Sequence, residues 1–305
     1  MQKRPPDRLS AKPARNTYEL AWGNYHLKLG EQTCIMGVVN VTPDSFSDGG
    51  KFLAAEAAVA QGEKLAAEGA DIIDIGGEST RPFSDPVPIE NEIQRVVPVI
   101  EKLAERLSIP ISIDTTKSEV ARQAIKAGAS IINDISSLRF DPTLAGVAAE
   151  FDTPIILMHM LGNPKTMQIS PVYKDLIAEI RAFLADAIRR AELSGVPKTR
   201  IIVDPGIGFG KTIEHNLLLI RRLKDFQCLD APILVGTSRK AFIRKILKDD
   251  RAADIAPDLP VVETGTQATV ASAVLNGAHI VRVHDVGTTR ATVKVLDAMM
   301  NIQEG

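Results

Sequence analysis

The chain has 305 residues, 24% of them charged and 45% hydrophobic, with a formal net charge of −2. That balance gives no general attraction to nucleic acid or to anionic membrane surfaces. No run approaches the roughly 18 apolar residues of a membrane span, and the two cysteines, Cys34 and Cys228, form neither a disulfide framework nor a metal-spaced set.

Residues 1–21 read as a disordered tail: Met1 to Arg15 is basic and carries prolines, but it lacks the apolar stretch of a signal peptide. The cysteine usage suits a cytoplasmic protein. Leu20–Leu29 alternates imperfectly and runs into Gly30-Glu31, which predicts a short hairpin placed to plug one end of the domain. From there, apolar runs alternate with helical patterning. The runs are Cys34–Val41, Ala70–Gly77, Ile109–Asp114, Ala129–Asp134, Thr153–His159, Arg200–Asp204, Pro232–Ser238 and His279–Asp285. The helices between them are expected near Phe52–Glu68, Ile89–Leu107 (with a kink at Pro98), Lys117–Ala127, Pro142–Glu150, Tyr173–Ser194 and Ile213–Asp225. Two helices, Lys240–Lys248 and Glu263–Asn276, follow the seventh run, joined by a loop over Asp249–Pro260, and Thr288–Asn301 is the last. Eight strand–helix units in about 250 residues predict a single (β/α)8 barrel over residues 22–305, with an N-terminal hairpin and an extra helix after the seventh strand.

An internal repeat supports that reading. Gly69-Ala70-Asp71-Ile72-Ile73-Asp74, Gly128-Ala129-Ser130-Ile131-Ile132-Asn133 and Gly277-Ala278-His279-Ile280-Val281-Arg282 share one form. A glycine ends the helix in a left-handed conformation, β-branched residues fill the barrel wall, and a polar residue emerges at the mouth. Ordinary αβ punctuation gives a similar pattern. Two strand-to-helix loops, Thr42–Gly50 and Glu78–Pro86, are long and rich in turn formers, as lids over a catalytic face are.

In such a barrel the carboxyl ends of all strands open on one face, where the chemistry sits. Arg282 and His284 alternate with valines on the last strand, so both fall on one side of it and suit an anion. A structural pairing of Arg282 with Asp285 or another acid is the alternative. Asp114, Asn133 and Asp204 supply acceptors from three strand ends, and Lys240 supplies a cation from a fourth. Together they suit a planar heterocycle with amino and ring N–H groups. Pro205–Thr212 imitates a P-loop but has proline where the Walker pattern needs glycine, and reads as a tight turn bringing backbone close to a ligand. The five histidines lack zinc spacing; His159, at a strand end, suits a wall residue as well as a functional one. Asn40-Val41-Thr42 matches a glycosylation sequon only by coincidence in a chain with no visible export signal.

Seven blocks in order resemble dihydropteroate synthase. They are Met36–Gly50 (MGVVNVTPDSFSDGG), Gly76–Pro82 (GGESTRP), Ile113-Asp114-Thr115, Ile132-Asn133-Asp134, Asp204–Lys211 (DPGIGFGK), Ser238-Arg239-Lys240 and Arg282–Val286 (RVHDV). The resemblance runs from Trp22 to the end. It implies condensation of (7,8-dihydropterin-6-yl)methyl diphosphate with 4-aminobenzoate, giving 7,8-dihydropteroate and pyrophosphate in folate synthesis. It also implies a Mg²⁺ requirement, sulfonamide binding, a homodimer, and no nucleic-acid or membrane partner. By correspondence, Asp114, Asn133, Asp204 and Lys240 hold the pterin, Arg282 and His284 hold the diphosphate, and Asn40 serves the metal. Thr80 contacts the pterin diphosphate and, with Phe46, Arg81, Pro82, Phe209 and Ser238, borders the aminobenzoate side. Asp48 and Arg81 lie on closing loops, and Asp48 joins Asp114, Lys240, Arg282 and His284 as a catalytic residue. A pterin-binding corrinoid methyltransferase could share the barrel and its acidic contacts, yet needs neither the Arg/His anion site nor the Ser-Arg-Lys block. A non-catalytic relative is the third reading.

Overall fold

The computed structural model describes residues 15–41, 50–79, 84–248 and 254–302. Two strands, β1 (Tyr18–Trp22) and β2 (Tyr25–Leu29), form an antiparallel hairpin. Eight parallel strands come next: β3 (Cys34–Asn40), β4 (Ile72–Gly76), β5 (Ile111–Asp114), β6 (Ile131–Asp134), β7 (Ile155–Met158), β8 (Ile201–Asp204), β9 (Leu234–Val235) and β10 (Ile280–Val283). Each pairs with the next in sequence as far as β8, and β10 lies between β3 and β9. A bridge from Val203 to Ile233, with Val203 N–H donating to the Pro232 carbonyl at 2.9 Å, brings β8 against β9 and closes the ring. The expected (β/α)8 barrel is present.

The helices are α1 (Gly50–Ala67), α2 (Ile89–Arg106), α3 (Ser118–Lys126), α4 (Leu144–Glu150), α5 (Leu176–Leu193), α6 (Ile213–Arg221), α7 (Ala241–Leu247), α8 (Pro260–Leu275) and α9 (Val286–Met300). Pro98 sits within α2, which continues through it. The helix expected to reach Asp225 stops at Arg221, and a 3₁₀ turn, Leu223–Leu229, comes after it. The extra helix after the seventh barrel strand is present, and part of the loop before it lies outside the described residues. Gly69, Gly128 and Gly277 all have positive φ (98°, 116° and 105°), as the repeat predicted.

Period two divides each barrel strand between two cores. The outward set includes Ile35, Ile73, Ile75, Ile113, Ile132, Leu157, Val203 and Val281, packed with buried helix residues such as Val99, Leu103 and Leu184. The inward set at the amino end of the strands is Cys34, Met36, Ile72, Ile131, Ile156, Ile202, Leu234 and Ile280. Leu20, Trp22 and Leu29 of the hairpin join it, so the hairpin closes that end. Burial of each such side chain contributes ~1.5–3 kcal/mol.

The tail boundary expected after residue 21 is too late. Strand β1 begins at Tyr18, and Arg15 is buried. Its guanidinium donates to the Gly30 carbonyl (2.8 Å), Thr33 Oγ1 (3.0 Å), the Ala278 carbonyl (2.6 Å) and Asp297 Oδ1 (3.1 Å). A buried cation is stable only when its donors are satisfied in this way. Residues 15–21 are therefore part of the fold.

Candidate active site

The same parity that sends Ile72 and Ile131 into the closed end carries polar side chains up the inside of the barrel. Asp74 follows Ile72 on β4, Asn133 follows Ile131 on β6, Asp204 follows Ile202 on β8 and Arg282 follows Ile280 on β10. Asp114 ends β5 and pairs in register with Gly76 on one side and Asn133 on the other. Asn40 ends β3 opposite Gly76 and is exposed.

Arg282 is the hub. Its Nε donates to Asp74 Oδ2 at 2.6 Å, and its Nη2 donates to Asp114 Oδ2 at 2.9 Å. The acid partner left open by the sequence is thus this pair. Asp285 instead caps α9, accepting from Thr288 N–H at 2.9 Å. Asn133 Nδ2 also reaches Asp74, at 3.2 and 3.4 Å from its two oxygens. Burial opposes the charge on Arg282, but Asp74 and Asp114 outweigh it and raise its pKa.

The acids respond to burial in the opposite sense. Desolvation lifts the Asp114 carboxyl to about 7 despite Arg282, with Asp74 adding to the rise. Asp204 is lifted by burial to about 6, held down by the Gly206 N–H and by Lys240 and Lys211. Lys240 is lowered by burial, and by Arg282, to about 8. A site with three groups titrating so near neutrality is primed to exchange charge with a ligand.

Lys240 also sits over the Phe209 ring, its Nζ 4.0 Å from the centroid. Phe209 packs with Ile135, Met158, Met160 and Met167 in one apolar cluster. Apolar walls beside Asn133, Asp204 and Lys240 suit a flat ring with a polar edge. A cavity of about 580 Å³ opens alongside, lined by Asp114, Thr115, Ile135, Asn163 and Lys165. Glu78 and the buried Glu92 both bind Lys117 on its far wall.

Ser238 and His284 are joined: Ser238 Oγ lies 3.0 Å from His284 Nδ1 and accepts from His284 N–H at 3.3 Å. Arg239, between Ser238 and Lys240, turns the chain in a left-handed conformation (φ 59°). Phe46, Asp48, Thr80, Arg81 and Pro82, with nearly all of the first long loop and residues 80–83 of the second, lie outside the described residues.

Two glycines of the Pro205–Thr212 turn are required by the close packing of the β7–α5 loop against it. A Cβ on Gly206 would stand 1.8 Å from the His159 carbonyl oxygen, and one on Gly210 would stand 2.5 Å from Leu161 Cβ. Gln168 Nε2 donates to the Gly208 carbonyl (2.6 Å) and Tyr173 Oη donates to that of Gly210 (2.8 Å), clamping the turn to the β7–α5 loop. Lys211, the apparent P-loop lysine, is buried, 3.0 Å from both His159 Nδ1 and the Phe209 carbonyl. Burial, then Lys211, drives the His159 pKa far down, so His159 is a neutral wall residue.

Asp74 and Lys211 join the site as residues not expected there, Asp74 through Arg282 and Lys211 through His159. A lone aspartate inside the run Ile72-Ile73-Asp74-Ile75, on the inward parity, is the signal that identifies Asp74. Among the described residues no cluster of three or more His, Cys, Asp or Glu could hold a metal.

Residues 36–284 match the family model for pterin binding enzymes. The chain is 49% identical over 270 residues to a dihydropteroate synthase of Synechocystis, covering 88% of this chain and 91% of that protein. It superposes on Xanthomonas albilineans dihydropteroate synthase solved with 4-aminobenzoic acid, with a TM-score of 0.86 and 42% identity, covering 94% of this chain and 100% of the other. The complex of the Xanthomonas albilineans enzyme with 7,8-dihydropteroate matches with a TM-score of 0.82 and 40% identity, over 93% of this chain and 100% of that one.

Proposed function

The chain belongs to the dihydropteroate synthase family of pterin binding enzymes, and we propose that its barrel mouth joins (7,8-dihydropterin-6-yl)methyl diphosphate to 4-aminobenzoate with release of pyrophosphate. The observation that carries this reading is the convergence of Asp114, Asn133, Asp204, Lys240 and Arg282 inside one end of the barrel, where Arg282 holds Asp114, Lys240 sits over Phe209, and the charges of Asp204, Lys240 and Arg282 act on one another.

Asn133, Asp114 and Asp204 take the amino and ring N–H edge of the pterin, and Lys240 donates to its carbonyl. Phe209 and Met158 face its rings. Arg282, with a planar fork of donors, and His284 take the diphosphate. Mg²⁺ fits the same corner: Asn40 offers one hard amide oxygen, and a cation that keeps most of its waters and binds substrate phosphates needs no protein cage. Held by Asn40 and the diphosphate, it would neutralise charge on the leaving group.

The substitution is SN1-like. The methylene C–O bond breaks, and its electron pair leaves with pyrophosphate. The dihydropterin ring delocalises the resulting cation, which the carboxylates of Asp114 and Asp204 favour. Arg282 stabilises the growing negative charge of pyrophosphate. The aminobenzoate nitrogen then bonds to the methylene carbon and loses a proton to solvent. Ser238, tied to His284, places the aminobenzoate site against the diphosphate site. Phe46, Thr80, Arg81 and Pro82 keep their expected substrate contacts in this proposal, and Asp48 its place on a closing loop.

A homodimer in the cytoplasm completes the reading. It is supported by exposed apolar side chains on α8 and α9, among them Val261, Leu275, Val295 and Met299, and by two free cysteines. No helix among the described residues is long and apolar enough to cross a membrane. The test is turnover with both substrates and Mg²⁺, assaying dihydropteroate directly. Aminobenzoate-dependent product that is lost on chelation, and inhibited by a sulfonamide, supports the proposal. Folded protein that binds the pterin yet makes no product overturns it.

A further inference from the structure

Asp74 has no part in the chemistry above, yet it touches two of the side chains that do. It lies in mid-strand on β4, opposite Val38 and Ser112 in register. The next inward layer, Asn40, Gly76 and Asp114, stands between it and the mouth. The side chain is fully buried. A carboxylate so deep persists only with charged or hydrogen-bonding partners. Its partners are Arg282 Nε, at 2.6 Å, and Asn133 Nδ2, at 3.2 Å.

The two contacts of Arg282 differ in position. Nε is tied inward to Asp74, one layer down, whereas Nη2 is tied to Asp114 at the strand end, beside the cavity. Asp114 and the diphosphate therefore compete for the outer nitrogens of a guanidinium whose inner edge is already held. A ligand phosphate can take Nη2 from Asp114 without breaking the bond to Asp74, because the two bonds use different nitrogens. The exchange also frees the Asp114 oxygen for the pterin.

We propose that Asp74 is a positioning residue, which anchors the Nε edge of Arg282 while its Nη2 nitrogen passes from Asp114 to the diphosphate. This rests on the reading of Arg282 as a diphosphate ligand. Asp74 touches no substrate itself, and it sets where the fork points. Through Asn133 it ties that aim to the pterin side.

The test is a double-mutant cycle read by inhibition with inorganic pyrophosphate and by the KM for the pterin diphosphate. Asp74→Asn keeps the shape and an acceptor for Asn133 but removes the charge that orients Nε. It should weaken pyrophosphate and raise the pterin diphosphate KM by about tenfold, the scale of one charge-assisted hydrogen bond. The aminobenzoate KM should stay within about twofold. In an Arg282→Ala background, Asp74→Asn should change pyrophosphate affinity by less than about twofold, because its effect runs through Arg282. Equal losses in both backgrounds, or wild-type pyrophosphate affinity in Asp74→Asn, overturn the inference. Should Asp74→Asn fail to fold, Arg282→Lys decides. An ammonium keeps the charge but has one nitrogen, which cannot stay on Asp74 while a second turns to the diphosphate, so it should bind pyrophosphate about tenfold more weakly than wild type, and wild-type affinity there is equally fatal. A wild-type protein that makes no dihydropteroate defeats the functional reading instead, which these binding measurements leave distinguishable.

Discussion

Replacing Asp114 by asparagine should make the protein more stable and leave it inactive, with a gain that depends on pH. Burial raises this carboxyl to about 7, from an ordinary value near ~3.9. Between those values the unfolded chain releases the proton and the folded one keeps it. Wild-type stability therefore falls as pH rises from about 4 to about 7, and the loss is complete above that. A rise of about three pH units corresponds to ~4 kcal/mol. The side chain is 12% exposed and shares its field with Asp74 and Arg282, so about half, ~2 kcal/mol, is the expected net effect. Asparagine does not titrate. Its Oδ1 can still accept from Arg282 Nη2, and Arg282 Nε remains on Asp74. At about pH 8 the variant should melt several degrees higher, given ~2–4 °C per kcal/mol for a chain of this size. Dihydropteroate formation should fall by about 10²-fold or more. Urea melts at intervals between about pH 4.5 and about pH 8.5 follow the difference, which should shrink toward zero at the acid end. A variant less stable than wild type at about pH 8, or one with the same gain at every pH, would refute the desolvation of Asp114 as the cause.

Activity should be confined to a narrow bell. kcat/KM for the pterin diphosphate should rise as the acids near 6 and 7 ionise and decline as Lys240, near 8, loses its proton; a flat profile from about pH 5.5 to about 9 contradicts the assignment. Gly206→Ala adds a left-handed alanine whose Cβ would stand 1.8 Å from the His159 carbonyl oxygen, and should cost about 3 kcal/mol in urea unfolding. Its KM for the pterin should rise too, because Asp204 is fixed by the Gly206 N–H at 2.7 Å. Arg15→Met leaves the Gly30 and Ala278 carbonyls without that donor and should cost about 2–4 kcal/mol, whereas a change below about 0.5 kcal/mol would return Arg15 to the tail.

The barrel was legible because parity and period are local. A run such as Ile131-Ile132-Asn133 declares within a few residues which side chain faces the wall and which the lumen. The strand-end residues came from the same rule, and so did Asn133, Asp204 and Arg282 as neighbours in space. Parity puts Asp74 in the lumen, but its pairing was not legible, because Arg282 is 208 residues away and becomes its partner only when the ring closes. Arg15 reads as a tail charge until Asp297, 282 residues on, is packed against it. That Gly206 and Gly210 face the β7–α5 loop was not legible, because a close approach of backbone has the same signature whether the neighbour is a phosphate or another loop. The seventh barrel strand shrank from Pro232–Ser238 to Leu234–Val235, where Gly236 and the left-handed Arg239 take the chain out of the ladder.

The hairpin under the barrel has a consequence for traffic. With Leu20, Trp22 and Leu29 seated at the far end, the described residues leave the lumen open at the opposite end, and in the proposed reaction both substrates enter there. In the proposed arrangement the pterin occupies the inner berth, beside the buried Asn133 and Asp204, and the aminobenzoate stands nearer the threshold, by Ser238. A molecule at the threshold blocks the one behind it. The sequence of arrivals is then fixed by depth rather than by relative affinity. Tightening the outer site alone would lengthen the queue without raising the throughput.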